Sequence, residues 1–163
     1  RLSLQENCQY YCLIRSNISI NLSFLRFRKM RWLMNGKLVW RSDSKYRINW
    51  SKRAPSKNAQ LTKEFIHRYF PCDIWFEEYV LPGGRLRVDF LNATRKFAIE
   101  QNGKFHSEYT PFFHKNRIGY ADSFKRDLAK AKFLEANNYQ VVDIEDEDFP
   151  LTTQFFQSRG ILV

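Results

Sequence analysis

Apolar positions divide the chain into helical and extended segments from about residue 56 onward. Residues 58–70 place Leu61, Phe65, Ile66, Tyr69 and Phe70 at helical spacing, which predicts a one-sided amphipathic helix. Ser56 suits its N-cap, and Pro55 biases the residue before it away from helix. Pro71-Cys72 ends it. Residues 74–81 are aromatic and β-branched and read as a strand, closed by a turn at Pro82-Gly83-Gly84. Two more apolar runs, 86–91 and 96–101, pair across Asn92-Ala93-Thr94-Arg95. Residues 107–119, interrupted by Pro111, fit no regular element and read as a loop. From 120 to 137 the helical pattern returns, with Tyr120, Phe124, Leu128, Ala131 and Leu134 on one face. Residues 139–144 form the last strand, and the tail adds a short helix.

The order helix, three strands, loop, helix, strand predicts an α/β (α+β) fold, a central mixed sheet with helices on its faces. Its domain spans residues 56–163. Residues 1–55 read instead as a basic, turn-rich arm, with weak strand signals at 18–27 and 37–40. A chain of 163 residues suits one domain with an arm better than two domains.

Charge sharpens that division. Residues 1–58 hold 13 Lys and Arg against Glu6 and Asp43, a net +11, while the remaining 105 residues sum to −1. The basic residues are interleaved with Phe24, Phe27, Trp32, Trp40, Tyr46 and Trp50, a mixture that suits phosphates and bases. Double-stranded DNA is therefore the expected partner, contacted by Arg41, Arg47, Lys52, Arg53 and Lys57, with Lys104, His114 and Lys115 added from the later loop. The other readings of such an arm are a solvated basic face and a membrane-surface segment. Three cysteines argue against a disulfide scaffold and for a reducing compartment. No segment has the length and apolarity of a membrane span, and none resembles a signal peptide. Because the chain opens on Arg1, a trimmed end or a natural start at Met30 or Met34 is expected.

The chemistry concentrates in residues 87–106, RVDFLNATRKFAIEQNGKFH. Phosphodiester hydrolysis needs charge neutralisation at the phosphate, an activated water and help for the leaving oxygen. A magnesium ion held by one or two carboxylates supplies much of this. Asp89 alternates with Leu86, Val88 and Phe90, so strand geometry turns it away from them. Glu100 ends the paired strand and brings a second carboxylate alongside, and the Gln101 carbonyl completes the metal set. His106 titrates near neutrality and suits a general acid or base. Asp127 lies in the middle of the apolar face of the second helix, where an unpaired carboxylate is costly. It would orient the His106 imidazole. Of Glu77 and Glu78, one must point inward, and strand parity alone leaves both open. Each member has a structural alternative: Asp89 and Glu100 pairing with Arg87 or Lys96, and Asp127 pairing with Arg126 or Lys130.

VDFLNATRKFAIEQNGKFH, followed by SFKRDLAKAKFLEANNYQVVDI, resembles the Vsr-like branch of the PD-(D/E)XK nucleases across roughly residues 56–148. That branch includes very short patch repair nickases and EDxHD phage homing endonucleases. The resemblance implies a PD-(D/E)XK-type core, a Mg²⁺ or Mn²⁺ cofactor and cleavage of DNA. Asp89, Glu100-Gln101, His106 and Asp127 stand at the family's motif positions. Asn102 replaces the lysine of the wider superfamily, which leaves proton transfer to His106. The family's first-helix glutamate has no clear counterpart; its role passes to Glu77 or Glu78. The nickases' structural zinc cluster is absent from this sequence. The expected protein is a free-standing, phage-encoded homing endonuclease in the cytoplasm of a bacterial host. A homodimer would suit cleavage of both strands. The alternatives are a mismatch- or structure-selective repair nickase, an inactive nuclease-fold binding module, and an RNA-binding protein that uses only the arm.

Overall fold

A computed structural model describes residues 29–102 and 117–163. Two strands, β1 (Met30–Met34) and β2 (Lys37–Arg41), form an antiparallel hairpin. Helix α1 (Lys57–Tyr69) follows, then β3 (Trp75–Val80), β4 (Arg87–Asn92) and β5 (Phe97–Asn102). Helix α2 (Arg117–Ala136), strand β6 (Gln140–Glu145) and the short helix α3 (Thr153–Gln157) complete the chain. The main sheet has the order β3-β4-β5-β6, antiparallel except for the parallel pair β5 and β6. A mixed α/β architecture is thus present, each main element within a few residues of its expected place.

The sheet is buried on both faces. Phe65 and Ile66 of α1 pack with Trp75, Phe90, Phe97 and Ile99 on one face, joined by Phe156 of α3. Met30 and Trp32 of the hairpin pack with Phe76, Tyr79, Val88, Leu91 and Ala98 on the other, together with Leu134 of α2. The N-cap of α1 is Ser56, whose Oγ accepts the Ala59 N–H at 3.0 Å. The buried face of α1 is rotated from the one its apolar residues predict. Thr62 and Lys63 are buried while Leu61 and Tyr69 are exposed. Partners explain the rotation: Lys63 Nζ donates to Glu77 Oε2 at 2.8 Å and to the Lys52 carbonyl at 2.9 Å.

The expected boundary at residue 55 does not separate an arm from a core. Trp32 is fully buried, stacked on Tyr79 and Tyr139 at 5.6 and 5.3 Å. Ile48 lies in the core beside α1. The hairpin is also tied to the end of α2, because Asn137 Oδ1 accepts the Leu33 N–H at 2.6 Å. Alternation explains the packing: Met30 and Trp32 face inward and Arg31 faces out. Basic composition disguised a structural hairpin as an arm. Residues 1–28, including the strand expected at 18–27, lie outside the described residues.

Truncating a buried tryptophan removes both its transfer energy and its packing contacts. Trp32→Ala should therefore lower the unfolding free energy by about 3–5 kcal/mol in urea denaturation. A loss under about 1 kcal/mol would mean that the hairpin is an appendage after all.

Candidate active site

Strand alternation fails at one level of the sheet. In β3, Glu77 reaches α1 through Lys63, and so should Tyr79 two residues on; Tyr79 instead packs on the hairpin side. In β4, Val88 lies on the hairpin side and Phe90 on the α1 side. Both slips occur between the paired positions Glu77↔Phe90 and Tyr79↔Val88, at Glu78 and Asp89. Glu78 has φ +51°, a left-handed conformation that is unfavourable by on the order of 1–2 kcal/mol for a residue with a Cβ. Glu77, Glu78 and Asp89 all line one open cleft of about 460 Å³, with Gln101, Asp146 and the first turn of α1.

Each carboxylate in this cleft has a different setting. Asp89 Oδ2 accepts the Gln101 N–H at 2.8 Å, which replaces a ladder bond where the β4–β5 pairing stops at Phe90↔Ile99. Its other oxygen has no hydrogen bond among the described residues. Glu78 pairs with Arg87 at 2.9 Å, but both side chains are exposed, so the pair is weak. Glu77 is committed: it accepts from the buried Lys63 and from the Asn49 N–H at 3.1 Å. Asp146 accepts from Asn58 Nδ2 at 2.7 Å. Gln101 turns its side chain to α1, donating to Thr62 Oγ1 at 2.6 Å.

Glu100 is not brought into the cleft. It is buried, does not line the cavity, and accepts from Lys130 Nζ of α2 at 2.7 Å. One residue before Gln101, it takes the opposite face of β5. Burial raises its carboxyl to about 7; Lys130 opposes the shift, while Asp89 and Asp143 add to it. The second oxygen, Oε1, has no hydrogen-bond partner among the described residues. Asp127 does not sit on a core stripe. Its side chain is 56% exposed, 3.7 Å from Lys130, and Phe124 and Leu128 beside it are exposed too. Among the described side chains of α2, those of the last turns reach the core, through Leu134. Among the described residues no three His, Cys, Asp or Glu side chains gather as a metal cluster.

The expected DNA contacts divide. Arg41 is held inside the fold: it donates to the Val80 carbonyl at 2.6 Å and to the Tyr46 hydroxyl at 2.8 Å, and pairs with the buried Asp43 at 3.1 Å. Arg47 is half-buried, and desolvation lowers its pKa. Lys52, Arg53 and Lys57 are exposed, and Lys57 lines the cleft. His106, Lys104, His114 and Lys115 lie outside the described residues. Sequence reasoning missed Asp146 and Asn58. The acidic run after β6 was the available signal, because β6 neighbours β5 in the sheet.

The fold and site define a mixed α/β domain with a carboxylate-lined cleft beside a helix start. No protein-family model matches the chain, and no solved structure matches it. It is 28% identical over 64 residues to the uncharacterized protein 033L of Invertebrate iridescent virus 3, covering 39% of this chain and 33% of that protein. It is 29% identical over 59 residues to the uncharacterized protein 307L of Invertebrate iridescent virus 6, covering 36% and 30%. The matches span about a third of each relative's length. Among the described residues, no helix is long and apolar enough to cross a membrane.

The Glu100 environment has a pH signature. The folded carboxyl holds its proton up to about pH 7, whereas the ordinary value is 4.5. Between those values the folded state binds more protons, so stability is fullest below pH 4.5 and declines as pH rises toward 7. Glu100→Gln should remove that decline, a flattening on the order of 1–3 kcal/mol in denaturation midpoints followed from pH 4.5 to 7. An unchanged slope would show that Glu100 titrates normally.

Proposed function

We propose that the protein is a metal-dependent DNA endonuclease whose active site is the cleft at Glu78 and Asp89. The observation that supports this most is the matched loss of alternation in β3 and β4. Two carboxylates on neighbouring strands are turned into one open cavity, at a cost in backbone strain at Glu78. The sequence resemblance to the Vsr-like nucleases points to the same strand and the same Asp89.

The donors in the cleft fit Mg²⁺ or Mn²⁺. Asp89, Glu78 and the Gln101 carbonyl offer only oxygen, and such ions accept few protein ligands and retain several waters. When bound, the metal would neutralise phosphate charge and acidify a water. Asp89 is held for that task by the Gln101 N–H, and Lys63 fixes Glu77 behind it. His106 takes the proton of the attacking water in this reading, and Asp127 orients it. Glu100 stays outside the metal set and secures α2 to the sheet through Lys130.

Duplex DNA is the substrate, and the net +11 of residues 1–58 supplies its attraction. The finer reading is a site-specific homing enzyme, phage-encoded and cytoplasmic, acting as two copies where both strands are cut. The viral origin of the two similar proteins supports a mobile or viral setting. A binding module that has lost cleavage is the second reading, favoured by the withdrawal of Glu100 into an ion pair.

Supercoiled DNA with Mg²⁺ or Mn²⁺ tests this. Wild type should nick or linearise it, and Asp89→Ala and His106→Ala should each slow cleavage about 100-fold or more. Wild type inert with both metals, or Asp89→Ala cutting at the wild-type rate, would refute the proposal.

A further inference from the structure

We infer that the outward face of the β1–β2 hairpin is a second DNA-binding surface, one that enters a groove of the duplex. The register sets its residues in pairs: Arg31 opposite Trp40, and Leu33 opposite Leu38. The inward partners Met30 and Trp32 fill the core, which leaves this face unpacked. Trp40 is 66% exposed and Leu38 59%, and the Arg31 guanidinium lies 5.9 Å from the Trp40 ring. An indole and two leucines grouped on a surface mark an interaction site, since nothing in the fold rewards their exposure.

Charge selects the occupant. Lys29, Arg31, Lys37 and Lys45 are exposed on or beside the hairpin. Asp43 is the one acidic residue between positions 29 and 57, and it is buried against Arg41. The hairpin's own stretch of chain is therefore cationic, with no acid on it but the buried Asp43. A second copy of the chain docked symmetrically through this face would set one cationic patch against the same patch, which is unfavourable. Duplex DNA satisfies both features. Phosphates meet the rim cations, while sugar edges and thymine methyls meet Leu38 and Trp40. A two-stranded ribbon matches the width of the major groove.

This inference rests on the proposed function for the polymer and for the attraction supplied by residues 1–58, but the hairpin's binding does not require cleavage. Fluorescence anisotropy of a labelled duplex in excess EDTA isolates binding from cutting. Trp40→Ala should weaken duplex affinity about 10-fold. Arg31→Ala with Lys37→Ala should reduce the slope of log affinity against log salt by about 2. Circular dichroism melts should match wild type, because these side chains are exposed. Duplex affinity within twofold of wild type for both variants would overturn the inference. So would a wild type that prefers single-stranded RNA or anionic vesicles, or a Trp40→Ala variant that changes only the sedimentation coefficient. If wild type never cuts DNA yet the variants lose duplex affinity, the hairpin inference stands and the nuclease reading falls. If wild type cuts and the variants bind as it does, the reverse holds.

Discussion

A sheet covered on both faces offers a carboxylate no natural place. Apolar side chains of α1 and α3 fill one face, and those of the hairpin and α2 fill the other. Asp143 and Glu145, in the outermost strand β6, alternate outward to solvent, but an acid in the inner, covered part of the sheet must be neutralised inside the fold or turned out at a break in the strand pattern. Both solutions occur in the neighbouring strands β3, β4 and β5. Glu100 keeps its regular strand position and is met by Lys130 at 2.7 Å. Glu77 is met by Lys63, itself almost fully buried. Glu78 and Asp89 escape instead, because β3 and β4 slip together at their shared level.

The slip ties local structure to the cleft. Asp89 Oδ2 takes the Gln101 N–H, so its side chain replaces a backbone acceptor and is fixed in doing so. A carboxylate held by a backbone donor needs little reorganisation before it binds a cation. Glu78 lies across from it at the same level, tied only to exposed Arg87. One fixed and one adjustable carboxylate suit an ion whose remaining coordination comes from water and substrate.

Much of the fold was legible from period alone, because each element carries its own apolar rhythm and its own stop signal. Ser56 predicted the start of α1 correctly, since capping is local chemistry. Misreadings arose where distant partners decide. The face of α1 turned toward Lys63 because Glu77 and the Lys52 carbonyl wait for its ammonium, and no helical rule contains that. The hairpin read as an arm because its outward residues are basic, whereas burial depends on Trp32 and on rings far away in sequence. Asp89 was found by an alternation argument that fails at this very position: Val88 and Phe90 face opposite sides. Glu100 was misplaced for the complementary reason, since there alternation holds and carries it to the α2 face. Parity also could not choose between Glu77 and Glu78, and the slip places both along the cleft.

Charge then gives the two surfaces complementary tasks. The cleft gathers acids beside the start of α1, and the hairpin carries exposed cations on the other side of the sheet. A polyanion gripped by the second could be presented to a cation held by the first. Everything turns on the acidic pair at the slip, so the most direct measurement is Mn²⁺ binding followed by paramagnetic resonance or calorimetry on the intact chain. Asp89→Asn should abolish the site, Glu78→Gln should weaken it and Glu100→Gln should leave it intact. Undiminished binding in Asp89→Asn, or loss of binding in Glu100→Gln alone, would contradict that assignment.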